Sequence, residues 1–229
     1  MNTSPQPISE VIVAINLVRL NAGRLPLPDN SVDMVFTDPP YVKAQIGAYE
    51  LVANESARVL KPGKFLALMC GGMALDQIMA WCDASGLSFY WLYQIQMVGI
   101  GAGIVWKHGN RNKPIATRLK HILVYSKGKA LARTATVSPY TAGGADKRWH
   151  FWGQDVDSHR YYIDCFSWPG DLVLDPMAGG GTTGVACAIL KRRCILGDLD
   201  KGALSTMVDR FNGGHEALSP LPLFESIPI

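Results

Sequence analysis

The sequence predicts one α/β domain built on a doubly wound, mostly parallel sheet with an antiparallel hairpin at one edge. Three observations carry this. Short apolar runs rich in β-branched residues alternate with stretches of helical period. Two of these runs end in acid-led turns, at Asp38-Pro39-Pro40 and at Asp175 with its glycines, the punctuation expected at the carboxyl edge of such a sheet. A chain of 229 residues, 48% of them hydrophobic, fits one large domain with a substantial core, so residues 1–229 read as a single domain.

Val32–Thr37 (VDMVFT) is short and β-branched, and it stops where two prolines cannot continue a ladder. Ala48–Leu60 has helical spacing in Leu51, Val52, Ser56, Val59 and Leu60, and Lys61-Pro62-Gly63 ends it. Phe65–Met69 is a second buried strand, followed by Gly71-Gly72 and a helix from Met73 to Ala84. Ser88–Val98 and Leu119–Tyr125, the latter closed by Gly128, are strands that would pair antiparallel at one edge. Gly99–Arg118 would then project as a loop. Ser158–Ser167 reads as a helix capped by Asp157 or Ser158 and stopped at Pro169-Gly170. Asp171–Leu174 is a strand, Thr182–Lys191 a helix and Arg193–Leu199 a strand; Asp200 caps a last helix to about Phe211. Residues 213–229 hold three prolines and no clear period, and read as an irregular tail.

The net charge of +3 hides an uneven distribution. No acid lies between Asp83 and Asp146, a stretch that carries Lys107, Arg111, Lys113, Arg118, Lys120, Lys127, Lys129 and Arg133. The rest of the chain has 14 basic groups against 19 acidic ones. A concentrated basic segment on an acidic body reads as a polyanion footprint, because phosphate neutralisation supplies most non-specific nucleic-acid affinity; a basic surface without a partner is the plainer alternative. No apolar run approaches the ~20 residues of a membrane span. The polar, proline-containing Met1–Glu10 lacks the layout of a secretory signal, so a cytoplasmic location is expected. The five cysteines (Cys70, Cys82, Cys165, Cys187, Cys194) are scattered in apolar surroundings and read as buried thiols rather than a disulfide frame or metal site.

Two motifs carry chemistry. Asp175-Pro176-Met177-Ala178-Gly179-Gly180-Gly181-Thr182-Thr183 joins a strand ending in an acid to a helix through a glycine turn. Glycines let the backbone approach a ligand, and the helix start offers free N–H groups. Asp198, at the end of the next strand, is placed to accept hydrogen bonds from a ribose. The spacing fits a nucleotide-type ligand, with NAD, FAD and S-adenosylmethionine all open. Asp38-Pro39-Pro40-Tyr41 brings a carboxylate, rigidly held carbonyls and an aromatic face to the end of another strand.

Together these segments resemble the amino-methyltransferases that act on adenine or cytosine. Asp38–Tyr41 is similar to their DPPY catalytic motif, and Pro169–Thr183 (PGDLVLDPMAGGGTT) to their cofactor motif PGDxVLDPFxGSGTT. Catalytic motif first and cofactor motif last is the circularly permuted order of the β class of DNA amino-methyltransferases, of restriction–modification or orphan and phage type. Leu27–Tyr41, His121–Gly128 and Trp152–Asp200 also look like family segments, so the resemblance covers most of the chain. It implies a Rossmann-like class I methyltransferase fold and S-adenosylmethionine as cofactor. It also implies double-stranded DNA as partner and no metal, and allows a homodimer.

By the resemblance, Asp175, Gly179, Gly181 and Thr182 would cradle the methionine end of the cofactor, Pro176, Met177, Ala178 and Thr183 would also bind the cofactor, Asp198 would hold its ribose, and Asn21 would lie near its adenine. Met177 stands where relatives have phenylalanine, an apolar wall without the ring. Asp38, Pro39, Pro40 and Tyr41 would form the catalytic loop. DPPY favours adenine N6; cytosine N4 and adenine N6 of RNA are the alternatives. A catalytically silent nucleic-acid-binding module is the reading from another class. Lys107, Arg111, Lys113, Arg118 and Lys120 are the expected nucleic-acid-binding residues, with Arg111, Lys113 and Arg118 on phosphates and 99–118 and 129–153 as candidate recognition insertions.

Overall fold

The computed structural model describes residues 14–97, 104–105, 116–130, 140–142 and 155–213. Its elements follow in chain order: β1 (Ile15–Arg19), β2 (Val32–Thr37), α1 (Ala48–Val59), β3 (Leu60–Cys70), α2 (Leu75–Ala84) and β4 (Ser88–Met97). Then come β5 (Ile104–Val105), β6 (Ala116–Thr117), β7 (Leu119–Ser126), β8 (Tyr140–Ala142), α3 (Val156–Phe166), β9 (Leu172–Asp175), α4 (Thr182–Ile189), β10 (Arg193–Asp198) and α5 (Lys201–Gly213).

Eight strands form one sheet in the order β1-β10-β9-β2-β3-β7-β4-β8. β1, β10, β9, β2 and β3 run parallel, and β7 is antiparallel to both β3 and β4. The doubly wound sheet and the antiparallel β4–β7 pairing are therefore as the sequence predicts, while β8, which has no predicted counterpart, adds a parallel strand outside β4. β5 and β6 pair apart from this sheet, inside the predicted projecting segment.

Strands covered on both faces need apolar residues at every position rather than at alternate ones. β2 meets that condition: all six of its residues are buried. Val35 faces a core cluster with Val52, Ala53 and Val59 of α1 and Ile78 and Cys82 of α2. Met34 and Phe36 face the other cluster, with Ile163 and Phe166 of α3, Ala186 and Cys187 of α4 and Met207 of α5. All five cysteines are buried free thiols. Asp33 is the polar exception in β2. Its carboxylate accepts both from Lys61, at 2.9 Å, and from the backbone N–H of Leu172 at 3.0 Å, which ties the start of β9 to β2.

Several boundaries differ from the sequence reading. β1 has no predicted counterpart; it is an edge strand of partial burial, with no turn signal sharp enough to mark it. β3 starts at Leu60 rather than Phe65. The register against β2 shifts between Val32 and Met34, and the extra residues, with Gly63 at φ 78°, form an irregularity that keeps pairing on both sides of Pro62. A 3₁₀ turn at Gly72–Ala74 delays α2 to Leu75. The cap of α3 is Asp155, whose side chain accepts from the N–H groups of Asp157 and Ser158, so Asp157 and Ser158 lie inside the helix. α4 ends at Ile189, and Lys191 turns the chain at φ 58°. The tail beyond 213 and most of 99–118 and 129–153 lie outside the described residues.

Candidate active site

β2 and β9 lie side by side, with Met34 opposite Val173 and Val35 opposite Leu174. The chain leaves β9 through α4 for β10 on one side, and leaves β2 through α1 for β3 on the other. Winding reverses between them, and open α/β sheets bind ligands at the carboxyl edge of such a switch point. Asp175 is the last residue of β9, and Asp38 follows the last residue of β2. The two motifs, one early in the chain and one late, therefore open onto one edge.

Asp175 shapes the glycine turn. Its Oδ1 accepts the Met177 N–H at 3.1 Å, and its Oδ2 accepts the Thr183 hydroxyl at 2.5 Å. The Ala178 N–H binds the Gly197 carbonyl of β10 at 2.8 Å, and the Gly181 N–H binds the Ala178 carbonyl at 2.8 Å. Gly179 and Gly181 adopt φ of 50° and 78°, where a side chain would be strained. Pro176 is buried, and α4 begins after Gly181 with no side-chain cap. Asp198, at the end of β10, accepts the Gly179 N–H on Oδ2 at 3.0 Å and the Asp200 N–H on Oδ1 at 2.9 Å. Asn21 lies just past the end of β1, which pairs with β10 as far as Asp198. Its side-chain oxygen accepts the Gly23 N–H at 2.9 Å. Burial pushes the Asp175 carboxyl up to about 7, against the Thr183 and Met177 donors that hold it down.

The acid–proline loop is equally tied. The Tyr41 hydroxyl donates to Asp38 Oδ1, and the Lys120 ammonium donates to Asp38 Oδ2 at 2.7 Å. Lys120 Nζ also lies 5.3 Å from the centre of the Tyr41 ring. Pro39 is buried, and its carbonyl accepts from the Tyr49 hydroxyl of α1 at 3.2 Å, which is shared with the Met69 carbonyl at 3.2 Å. His159 of α3 packs edge-on against Phe36 with ring centres 5.0 Å apart, and its Nδ1 lies 3.0 Å from the Asp155 carbonyl. Burial, with the Lys120 charge adding to it, pushes His159 down to about 4, so the ring is neutral near pH 7.

Lys120 corrects the sequence reading. Expected to bind nucleic acid, it is only 3% exposed and paired to the Asp38 carboxylate. The reason is topological. An antiparallel strand starts at the edge where its parallel neighbours end, so the second residue of β7 arrives beside the loop after β2. Arg118 is exposed as expected, whereas Lys107, Arg111 and Lys113 lie outside the described residues. Three contributors carry no signal in the sequence. Tyr49 falls within the predicted helix Ala48–Leu60, and His159 within the predicted helix Ser158–Ser167. Arg210, buried on α5, donates to the Gly180 carbonyl at 2.8 Å and so braces the glycine turn from behind. Among the described residues, no group of His, Cys, Asp or Glu is arranged to hold a metal ion, and no helix is long and apolar enough to cross a membrane.

A doubly wound sheet with a glycine turn beside its switch point is the arrangement of class I methyltransferases. The sequence pattern of the N6/N4 DNA methylases matches residues 32–209, and the chain belongs to that family. YubD of Escherichia coli (strain K12), a methylase by name, is 28% identical over 184 residues, 73% of this chain and 76% of its own. Among solved structures, M1.HpyAVI in complex with SAM superposes with a TM-score of 0.69 at 21% identity, over 86% of this chain and 99% of that one. The cytosine-N4-specific PvuII DNA methyltransferase superposes with a TM-score of 0.68 at 15% identity, over 88% of each chain. A cytosine-N4 enzyme is thus among the structures that share the fold, and fold alone does not choose the base.

Proposed function

We propose that this DNA methyltransferase transfers a methyl group from S-adenosylmethionine to the exocyclic N6 amine of an adenine flipped out of duplex DNA. The observation that carries the reading is the adjacency of β2 and β9, which sets the Asp38 carboxylate and the Gly179–Gly181 turn on one edge. The turn suits the cofactor by its donor set. Uncapped N–H groups at the start of α4 match a carboxylate, and Asp175 and Asp198 match an ammonium and ribose hydroxyls. When bound, the cofactor supplies an electrophilic sulfonium methyl, whose S–C bond breaks as the N–C bond forms.

The rest is done by this chain's own residues. A base amine is a poor nucleophile because its lone pair is delocalised into the ring. Asp38 accepts one amine hydrogen and the Pro39 carbonyl the other, which draws the nitrogen towards tetrahedral geometry and localises the lone pair. A carbonyl has two lone pairs, so Pro39 can keep Tyr49 while it accepts the amine. The surplus amine proton departs to solvent after transfer. Flipping the base costs about a few kcal/mol, and stacking on Tyr41 returns ~1–3 kcal/mol. The site works by positioning and fixed dipoles. The aspartate at position 38 favours adenine over cytosine by resemblance to the DPPY enzymes.

Tritium transfer from labelled cofactor to plasmid DNA, followed by mapping of the modified base, tests this. Label in N6-methyladenine is expected, and loss of transfer in Asp38→Ala with cofactor binding retained. Label in N4-methylcytosine would change the base assignment; preference for RNA would change the substrate; an Asp38→Ala protein at the wild-type rate would remove the mechanism.

A further inference from the structure

We infer that Lys120 is a positioning residue for this reaction. It holds Asp38 Oδ2 throughout, and leaves Oδ1, which the Tyr41 hydroxyl occupies at rest, as the oxygen that takes the amine hydrogen. The inference rests on the proposed role of Asp38 as amine acceptor. Its basis is the way the two carboxylate oxygens are divided. Lys120 donates to Oδ2 at 2.7 Å and Tyr41 to Oδ1.

The two donors differ in how easily they can leave. Lys120 stands in β7, with its backbone opposite Ile95 of β4, and its side chain is 4% exposed. A buried ammonium deprived of its counter-charge is costly, so this contact persists. Tyr41 sits in the loop after β2, half-buried, and is the residue expected to stack on the base. A ring that turns to stack must withdraw its hydroxyl from Oδ1. Arrival of the base and release of the acceptor oxygen become one event. Tyr41 stands in for the amine while no base is present, and Lys120 fixes the carboxylate plane so that Oδ1 stays aimed when Tyr41 leaves. Four titratable groups feel this pair: His159 is neutral near pH 7, burial keeps the Tyr49 hydroxyl and the Cys70 thiol protonated, and the buried Asp175 carboxyl is itself raised towards its neutral form.

Two variants of the full chain test this. Lys120→Met keeps the length of the side chain and removes the charge. Its kcat for plasmid methylation should fall about 100-fold, the scale of a misplaced reacting group, while cofactor affinity and the KM for DNA change little; Lys120→Arg should recover most of the rate. Tyr41→Phe keeps the stacking ring and removes the hydroxyl that competes for Oδ1, so the KM for DNA should fall about fivefold, one ordinary hydrogen bond. Lys120→Met at the wild-type rate overturns the inference. So does a loss that Lys120→Arg fails to recover and that follows a lowered thermal midpoint. If Lys120→Met does not fold, Tyr41→Phe decides: an unchanged or raised KM overturns it. Inactive Asp38→Ala beside fully active Lys120→Met would sink this inference alone; fully active Asp38→Ala would sink the functional reading beneath it.

Discussion

The backbone N–H of Gly179 donates to the Asp198 carboxylate at 3.0 Å, so the acid proposed to hold a ribose also ties down the glycine turn. Asp198→Ala should therefore weaken cofactor binding twice over, by losing a ligand contact and by loosening Gly179. Hydrogen bonds to a charged acceptor contribute about 1.5–3 kcal/mol each, which sets an expected loss of about 10- to 150-fold in affinity, measurable by calorimetric titration with the cofactor.

Gly184 lets α4 approach β10. A Cβ there would lie 2.5 Å from Leu196 Cδ1 and 2.7 Å from Phe211 Cζ. Alanine gains about 1 kcal/mol in helix propensity, but overpacking a closed core costs about 1–3 kcal/mol. Packing wins because Leu196 is fully buried and has no room to retreat. Gly184→Ala should lower the thermal midpoint by up to about 8 °C for a chain of this size, checked by calorimetry.

Asp175 has its carboxyl raised by burial from 3.8 to about 7. The unfolded chain releases this proton near the ordinary value, and the folded chain keeps it to higher pH. The ionised form thus penalises folding fully above about pH 7, and the penalty fades as pH falls towards 3.8. Asp175→Asn removes the titration and leaves the opposing one of His159 in place. The variant's thermal midpoint should gain most on wild type above pH 7, and the two curves should converge with acid. Parallel curves from pH 5 to 8 would refute the shift.

The basic segment divides by burial. Arg118 is exposed and Lys120 is not. Arg118→Ala should weaken DNA binding at low salt and lower the slope of log affinity against log salt by about 0.9 for each phosphate that the guanidinium neutralises. Lys120→Met should leave that slope unchanged, which fluorescence anisotropy across a salt series would show.

The central strands and helices, the antiparallel β4–β7 pairing and both loop motifs were legible in the sequence because each leaves a local mark, whereas the two strands at the sheet's edges, β1 and β8, were not. Val32–Thr37 announces itself by β-branching and a proline stop, and Asp175–Thr183 by its glycines. What stayed hidden depends on contacts between distant segments. Lys120 belongs by charge to the basic stretch and by topology to Asp38, 82 residues earlier. Arg210 reaches Gly180 across 30 residues, and nothing near it in sequence marks it as a brace. Pro62-Gly63 looks like the end of a helix, and only the partner strand reveals that pairing resumes around it.

β2 and β9 meet through two register pairs, late in the chain against early. Joining segments so far apart costs loop-closure entropy before any contact repays it. β9 must therefore have been made before the loop after β2 has the glycine turn beside it, and no fragment ending ahead of Leu172 holds both motifs. Methylation that draws on both loops would report a chain made at least through the glycine turn and folded back onto β2.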